Sequence, residues 1–422
     1  MSNVQGIDNA FQLRNGHGDV ASTQWSGGRI VTFLMAVLFA TAVLTSVSRA
    51  QSPVFIGLDA DMSSASAEAG EAIRRGALLA IEEINSAGGL LGHPLELVVR
   101  DHRGNPARGV DNMVEFSAMP DLLAVVGGLH TPVALQELQT IHDGKIIYLG
   151  AWAAGTPIVD NKHEPNYVFR VSVRDEFAGG FLVKNALDRG ATKLGLLLER
   201  TGWGRSNEKA VTAALESMGL TPAGVEWFNW GIPDMSEQIE RLHLAGADGI
   251  ILVANPPEGL VAVKGMAARP ASDRLPIVSH WGITGGTFPE MAGDLLEQVD
   301  LTFLQTFSFM APPYPDRAQR VLERYKTMFP DVENLHDIMA PPGTAHAYDL
   351  VKMLALAAEE SGSLDRGTVR DAMERIASYE GLMRDYAPPF TASRHDALDA
   401  GDFILAQYGA NGAILPTQSD AQ

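Results

Sequence analysis

The sequence predicts an α/β protein built from two doubly wound parallel-sheet lobes. Three observations carry this. Ile73 to Asp101 reads as a helix running into a strand, half of a βαβ unit. Strand-like and helix-like runs then alternate for most of the length, the pattern of a mostly parallel sheet with helices on both faces. That alternation completes once by about Phe169 and starts again near Leu194.

The elements follow in order. The first fifty residues read as a leader: Ile30 to Val47 is an apolar run after Arg29, and Ser48-Arg49-Ala50 fits a small-x-small cleavage site before Gln51. A retained transmembrane anchor is the competing reading, because the run is nearly long enough to span a bilayer. Strands are expected at Val54–Leu58, Leu95–Val99, Leu123–Val126, Ile146–Leu149, Leu194–Leu198, Gly249–Val253 and Pro276–Ser279. Ile73, Ala77, Ala80, Ile81 and Ile84 recur at helical spacing, and Gly88-Gly89 stops that helix because glycine accepts a left-handed backbone. Further helices are expected at Pro106–Ala118, Pro132–Asp143, Phe177–Arg189, Arg205–Met218 and Met235–Ala245, then at Ala318–Phe329, Ala345–Ser361 and Arg366–Ala377. Tyr167–Val173 and Leu301–Phe309 look like crossovers between the lobes.

Composition bounds the function. Residues 51–422 number 372, enough for two domains with separate cores. The leader takes two Asp and three Arg with it, so the mature net charge is −20, against −19 for the whole chain. So acidic a surface without a basic patch does not suit nucleic acid or an anionic membrane. There is no cysteine, hence no disulfide, no thiolate metal site and no lipid-modified N-terminal Cys. No cofactor and no metal are expected. Free diffusion after export favours a periplasm.

The stretch IRRGALLAIEEINSAGGLLGHPLELVVRD closely resembles the first helix of the periplasmic solute-binding proteins of the leucine/isoleucine/valine and amide type. Gly76, Glu82, Ile84, Asn85, Gly88-Gly89 and Gly92 carry the match, and the resemblance spans most of Val54 to Pro416. It implies the type I periplasmic binding protein fold, with the lobes joined by three hinge crossovers, the third near Tyr379–Tyr386. The expected division is 51–170 with 305–380 as the first lobe and 171–304 with 381–422 as the second.

In an open parallel sheet the ligand sits beyond the carboxyl ends of the strands. Five sets of loops therefore matter. Asp59-Ala60-Asp61-Met62-Ser63-Ser64 offers Ser63 and backbone N–H groups, although the aromatic that the family usually has before Gly70 is Ala69 here. Gly127 to Pro132 is the strongest: Thr131 suits an N-cap and Pro132 the first helical position, where unpaired N–H groups and the positive dipole end seat a carboxylate. The resemblance gives Thr131 the carboxylate contact, with His130 beside it. In Gly150 to Thr156, which contains Trp152, Ala153 and Ala154, the family pattern is small residues ending in a threonine that touches the carboxylate. Without a gap Ala154 takes the threonine position and Trp152 replaces a small residue. A two-residue shift would put Thr156 there, and the choice stays open. Trp203 matches the family's ring covering the ligand from the second lobe. Asn255 and Trp281 complete the set, Trp281 standing where amino-acid binders place an acid.

That last departure matters, since burying an unpaired ammonium is costly. Asp59, Asp61, Glu199 and Glu258 are candidate substitutes, none at the expected position. Three of the six tryptophans, Trp152, Trp203 and Trp281, fall on cleft loops and favour a flat ligand. Trp227 and Trp230 sit in a strand-like run and read as structural, and His395-Asp396 as tail packing. The expected function is capture of a small carboxylate-bearing ligand, an aromatic or hydrophobic acid or a branched-chain amino acid or amide, for an ABC permease. A monomer is assumed. A periplasmic sensor feeding a signalling partner is the alternative. An enzyme is disfavoured by the absence of a G-x-S-x-G elbow, a P-loop, H-E-x-x-H, or G-x-G-x-x-G after a strand.

Overall fold

A computed structural model describes Gly18 and residues 51–409 and 412–417. The leader expected at 1–50 lies outside the described residues apart from Gly18. The first lobe runs β1 (Val54–Ala60), α1 (Ala67–Ser86), β2 (Leu95–Asp101), α2 (Pro106–Ser117), β3 (Leu122–Gly127), α3 (Thr131–Asp143), β4 (Ile147–Gly150), α4 (Thr156–Val159) and β5 (Val168–Arg170). Its five strands lie in the order β2-β1-β3-β4-β5, all parallel.

The chain then crosses to α5 (Asp175–Asp188), β6 (Leu194–Glu199), α6 (Gly202–Ser217), β7 (Gly224–Phe228), α7 (Ser236–Leu244), β8 (Gly249–Val253), α8 (Pro256–Ala267), β9 (Ile277–Ser279), α9 (Phe288–Ala292) and β10 (Leu301–Gln305). It returns through α10 (Pro315–Met328), α11 (Pro341–Ser361) and α12 (Arg366–Met373), then a hairpin of β11 (Tyr379–Glu380) and β12 (Asp385–Tyr386). β13 (Ile404–Tyr408) and β14 (Ile414–Pro416) close the second sheet, whose order is β14-β13-β10-β9-β8-β6-β7. Its first five strands in sequence are mutually parallel, while β13 and β14 add antiparallel edges.

Each strand expected from the sequence is present within two residues of its expected ends. The reason is burial on both faces: β3, β4, β6 and β8 are buried at every position, which makes a continuous apolar run the only readable pattern. Leu301–Phe309 divides into β10 and the crossing itself. The third crossing differs more. Tyr379–Tyr386 is a hairpin held on α11, where the buried Asp349 carboxyl accepts the Leu382 and Met383 amides and the Tyr386 hydroxyl. The passage to the second sheet comes later, between this hairpin and β13.

Helix packing explains the glycines of the opening motif. Gly88 and Gly89 adopt φ of 114° and 81° at the end of α1, where a Cβ is disfavoured. Gly76 serves a different purpose: a Cβ there would lie 2.2 Å from the backbone oxygen of Thr344 on α11. Bare backbone lets α1 and α11 approach closely. Gly76→Ala is therefore expected to cost about 2 kcal/mol by overpacking, read as a lowered denaturation midpoint. Gly180→Ala on α5, with open space at its Cβ, should be neutral or slightly stabilising. Equal stability of the Gly76 variant and the parent would contradict this packing.

Candidate functional site

The carboxyl ends of strands from both lobes converge on a small cavity. Leu129, His130, Thr131, Pro132, Trp152 and Ala154 line it from the first lobe, and Glu199, Trp203, Asn255, Trp281 and Gly282 from the second. Its volume is about 10 Å³, on the order of one water. The closure has a visible cause. Trp152 and Trp281 stack on each other at a centroid distance of 4.6 Å and an interplanar angle of 20°. The tryptophans expected to stack on a ligand thus stack across the lobes.

His346 on α11 supports this stack from below, its ring 5.5 Å from that of Trp281. Burial pushes its pKa down to about 4, so the imidazole is neutral. Nδ1 lies 2.9 Å from the Ala151 carbonyl, which has no proton to give, so Nδ1–H donates. Nε2 then accepts the Thr306 hydroxyl at 3.0 Å. One side chain ties the end of β4 to the crossing that follows β10.

Thr131 is placed one position further into α3 than expected. His130 is the N-cap and makes no side-chain cap, because the helix begins at Thr131 itself. The Thr131 hydroxyl is used instead by the neighbouring loop, accepting the Gly155 amide at 3.1 Å. In the first turn of α3 Pro132 has no N–H and the Val133 and Ala134 amides donate to the His130 carbonyl, which leaves the amides of His130 and Thr131 outside the helix's own bonding. The next loop is shaped by a fully buried arginine: Arg170 Nη1 donates to the carbonyls of Ala153 and Gly155, and its Nε pairs with Asp396 at 2.5 Å. Asp396 is thus packed in the tail, as is His395, stacked on Phe169.

Of the two alternatives in this loop, Ala154 lines the cavity and Thr156 does not. Thr156 begins α4 and its hydroxyl accepts the Glu176 amide at 3.0 Å. Two other expected residues also lie off the cavity. Ser63 is exposed and donates to Asp101, and Ala153 is buried with its carbonyl on Arg170. The remaining seven, His130, Thr131, Trp152, Ala154, Trp203, Asn255 and Trp281, are brought together.

Trp203, in the first turn of α6, donates Nε1 to Asp175 at 3.2 Å, and His280 Nε2 lies 3.1 Å from the same oxygen. Asp175 also donates its own amide to the Ala154 carbonyl at 2.9 Å. The start of α5 therefore holds cleft walls from both lobes.

Two further residues stand here: Trp230, expected from the sequence to be structural, and Glu199, weighed there only as a substitute acid. Trp230 is 41% exposed rather than packed in a strand, with its ring 5.4 Å from His130. Its Nε1 donates to Glu199 at 3.0 Å. Glu199 itself ends β6, so its place at the cleft was readable from the strand-end rule, but its inward direction was not. Burial pushes its pKa up to about 7, although hydrogen bonds from Thr201 and Trp230 oppose that. Asp61 behaves oppositely: His130 and Ser64 outweigh its burial and hold the carboxyl well below the usual range. Asp59 faces inward to Asn112 and Glu137 rather than to the cavity. Among the described residues no cluster of His, Asp and Glu is arranged to hold a metal ion, and no helix is long and apolar enough to cross a membrane.

Comparison with known proteins agrees with this architecture. Residues 53–413 match the family model described as periplasmic binding protein. The Leu/Ile/Val-binding protein homolog 1 of Brucella abortus is 24% identical over 350 residues, covering 82% of this chain and 88% of that protein. A periplasmic binding protein type 1 from Bordetella pertussis superposes with a TM-score of 0.78 at 21% identity, over 86% of this chain and 100% of that one. A solute binding protein of an ABC transporter from R. palustris, solved with 4-hydroxybenzoate, gives a TM-score of 0.73 at 18% identity, over 87% and 96%. At these identities the solved structures establish the fold alone. The family match covers most of the chain, and the protein belongs to the periplasmic binding protein family.

Proposed function

We propose that the chain is the extracytoplasmic solute-binding component of an ABC importer, acting as a monomer in the periplasm after removal of its leader. It captures a small carboxylate-bearing ligand between its lobes and presents the closed form to a membrane permease. The observation that carries this reading is the cavity itself: strand ends of two separate sheets meet there, and neither sheet alone encloses it. The ligand carboxylate would sit at the start of α3, beside Thr131, where the Thr131 amide and the helix dipole favour an anion.

Hinge closure follows from the same geometry. With the lobes apart, Trp152 and Trp281 lose their stack; with a ligand between them, ligand contacts take its place. The Leu/Ile/Val-binding name of the Brucella relative and the 4-hydroxybenzoate held by the R. palustris protein support the two ligand classes weighed from the sequence, branched-chain amino acids or amides and aromatic acids. An affinity near micromolar, roughly −8 kcal/mol, suits a carrier that must also release its cargo.

A thermal-shift screen against amino acids, amides and aromatic carboxylates tests the proposal. A true ligand at a hundredfold excess over its dissociation constant should add about 2.7 kcal/mol to the stability and be recovered unchanged. Consumption of the ligand would contradict a pure binding role. Thr131→Val should weaken that ligand about tenfold, or about 1.4 kcal/mol, because the Gly155 amide loses its acceptor; unchanged affinity would remove Thr131 from the site. Trp152→Ala should raise the radius of gyration of the ligand-free protein in X-ray scattering, since the cross-lobe stack is lost. An identical scattering curve would show that the stack does not hold the lobes.

A further inference from the structure

Behind the cleft, the first lobe buries two carboxyl groups against each other. Asp59 stands near the end of β1 and Glu137 in the middle of α3, and each is 1% exposed. Their side chains are in hydrogen-bonding contact. An ionised carboxylate only accepts, so that contact is a bond only if one of the two is protonated. Asn112 on α2 donates to Asp59 Oδ1 at 2.6 Å. Asp59 Oδ2 and Glu137 Oε1 are buried and left without a donor.

No counter-charge offsets this. Among the described residues no Lys, Arg or His bonds to either carboxyl. From β2, Asp101 opposes ionisation of Asp59, and from β4 the Tyr148 hydroxyl reaches Glu137. From α2 come Asn112 and the bare backbone of Gly109, where a Cβ would lie 2.3 Å from Glu137 Oε1. From β3 comes Gly127, where a Cβ would lie 2.1 Å from the Tyr148 hydroxyl oxygen. Two ionised carboxylates in such a place would repel each other without water or a cation, which is costly.

We infer that Asp59 and Glu137 share one proton in the folded protein, forming a proton-binding site that fastens α3 to β1. Glu137 carries the proton and donates it to Asp59, because the Asn112 amide already favours the ionised form of Asp59. The bond braces two cleft loops from behind, since α3 begins at Thr131 and β1 leads into Asp61. It is independent of which ligand the cleft takes.

Proton linkage makes the inference measurable. Burial pushes both carboxyls above their usual range, Glu137 furthest. In the unfolded chain they ionise near their ordinary values, about 3.9 for Asp and about 4.3 for Glu. Above those values the folded protein keeps a proton that the unfolded chain has lost. Stability therefore falls as pH rises, until the folded pair ionises in turn. One retained proton raises the unfolding constant about tenfold per pH unit, or about 1.4 kcal/mol.

The experiment is denaturant unfolding of the parent and of Glu137→Gln at several pH values between about 5 and about 8. The amide keeps a donor toward Asp59 at every pH, so the variant should lose about one proton's share of the slope. Its unfolding constant should then fall about tenfold per pH unit relative to the parent. Glu199 and the histidines titrate in both proteins and cancel in the difference. Should the variant fail to fold, the infrared spectrum of the parent at about pH 8 decides, since ordinary carboxyls are ionised there. A C=O band of a protonated carboxyl is expected at that pH. Parallel pH slopes in the two proteins, or no such band in the parent, overturns the shared proton.

Discussion

The structure turns on the contact between Trp152 and Trp281. Each ring comes from a loop at the carboxyl end of a strand, one from each sheet, and together they fill the space where the two lobes meet. Their stack is supported by His346, whose neutral imidazole donates to one lobe's loop and accepts from the crossing strand. Aromatic pairs of this kind are worth on the order of 1 kcal/mol beyond the area they bury. That magnitude matters. It is large enough to favour the stacked arrangement and small against the roughly −8 kcal/mol of the proposed ligand.

Around that contact the cleft is chemically asymmetric. One end is the N-terminus of α3, whose Val133 and Ala134 amides are bonded to the His130 carbonyl and whose Thr131 hydroxyl is committed to holding the next loop. The other end is the sealed carboxyl of Glu199, with only neutral donors. The supports lie one layer back: Arg170 fixes the carbonyls of the Ala153–Gly155 loop, and Asp175 holds Trp203 and His280 while its amide takes Ala154.

The strands were legible because burial on both faces leaves unbroken apolar runs, as in β3 and β6. The helix α8 was not, because Pro256, Gly259, Ala262, Val263 and Met266 are all buried and leave little polar stripe to mark a period. The hairpin at Tyr379–Tyr386 was mistaken for a crossing because its anchor, Asp349, is distant in sequence. In the site, strand ends pointed to the right loops, since that follows from topology. Which side chain turns inward depends on partners elsewhere. Ser63 turns out to Asp101, Trp230 turns in over His130, and Glu199 stands in the cleft wall where Trp281 offers no acid.

The central claim is that one ligand is held by both lobes at once. Amide hydrogen exchange, compared with and without the ligand that gives the largest thermal shift, tests this most directly. Simultaneous protection of residues 128–134 and 151–156 in the first lobe and 199–204 and 279–285 in the second is the predicted result. Protection confined to one lobe, or to surfaces away from these loops, would contradict it.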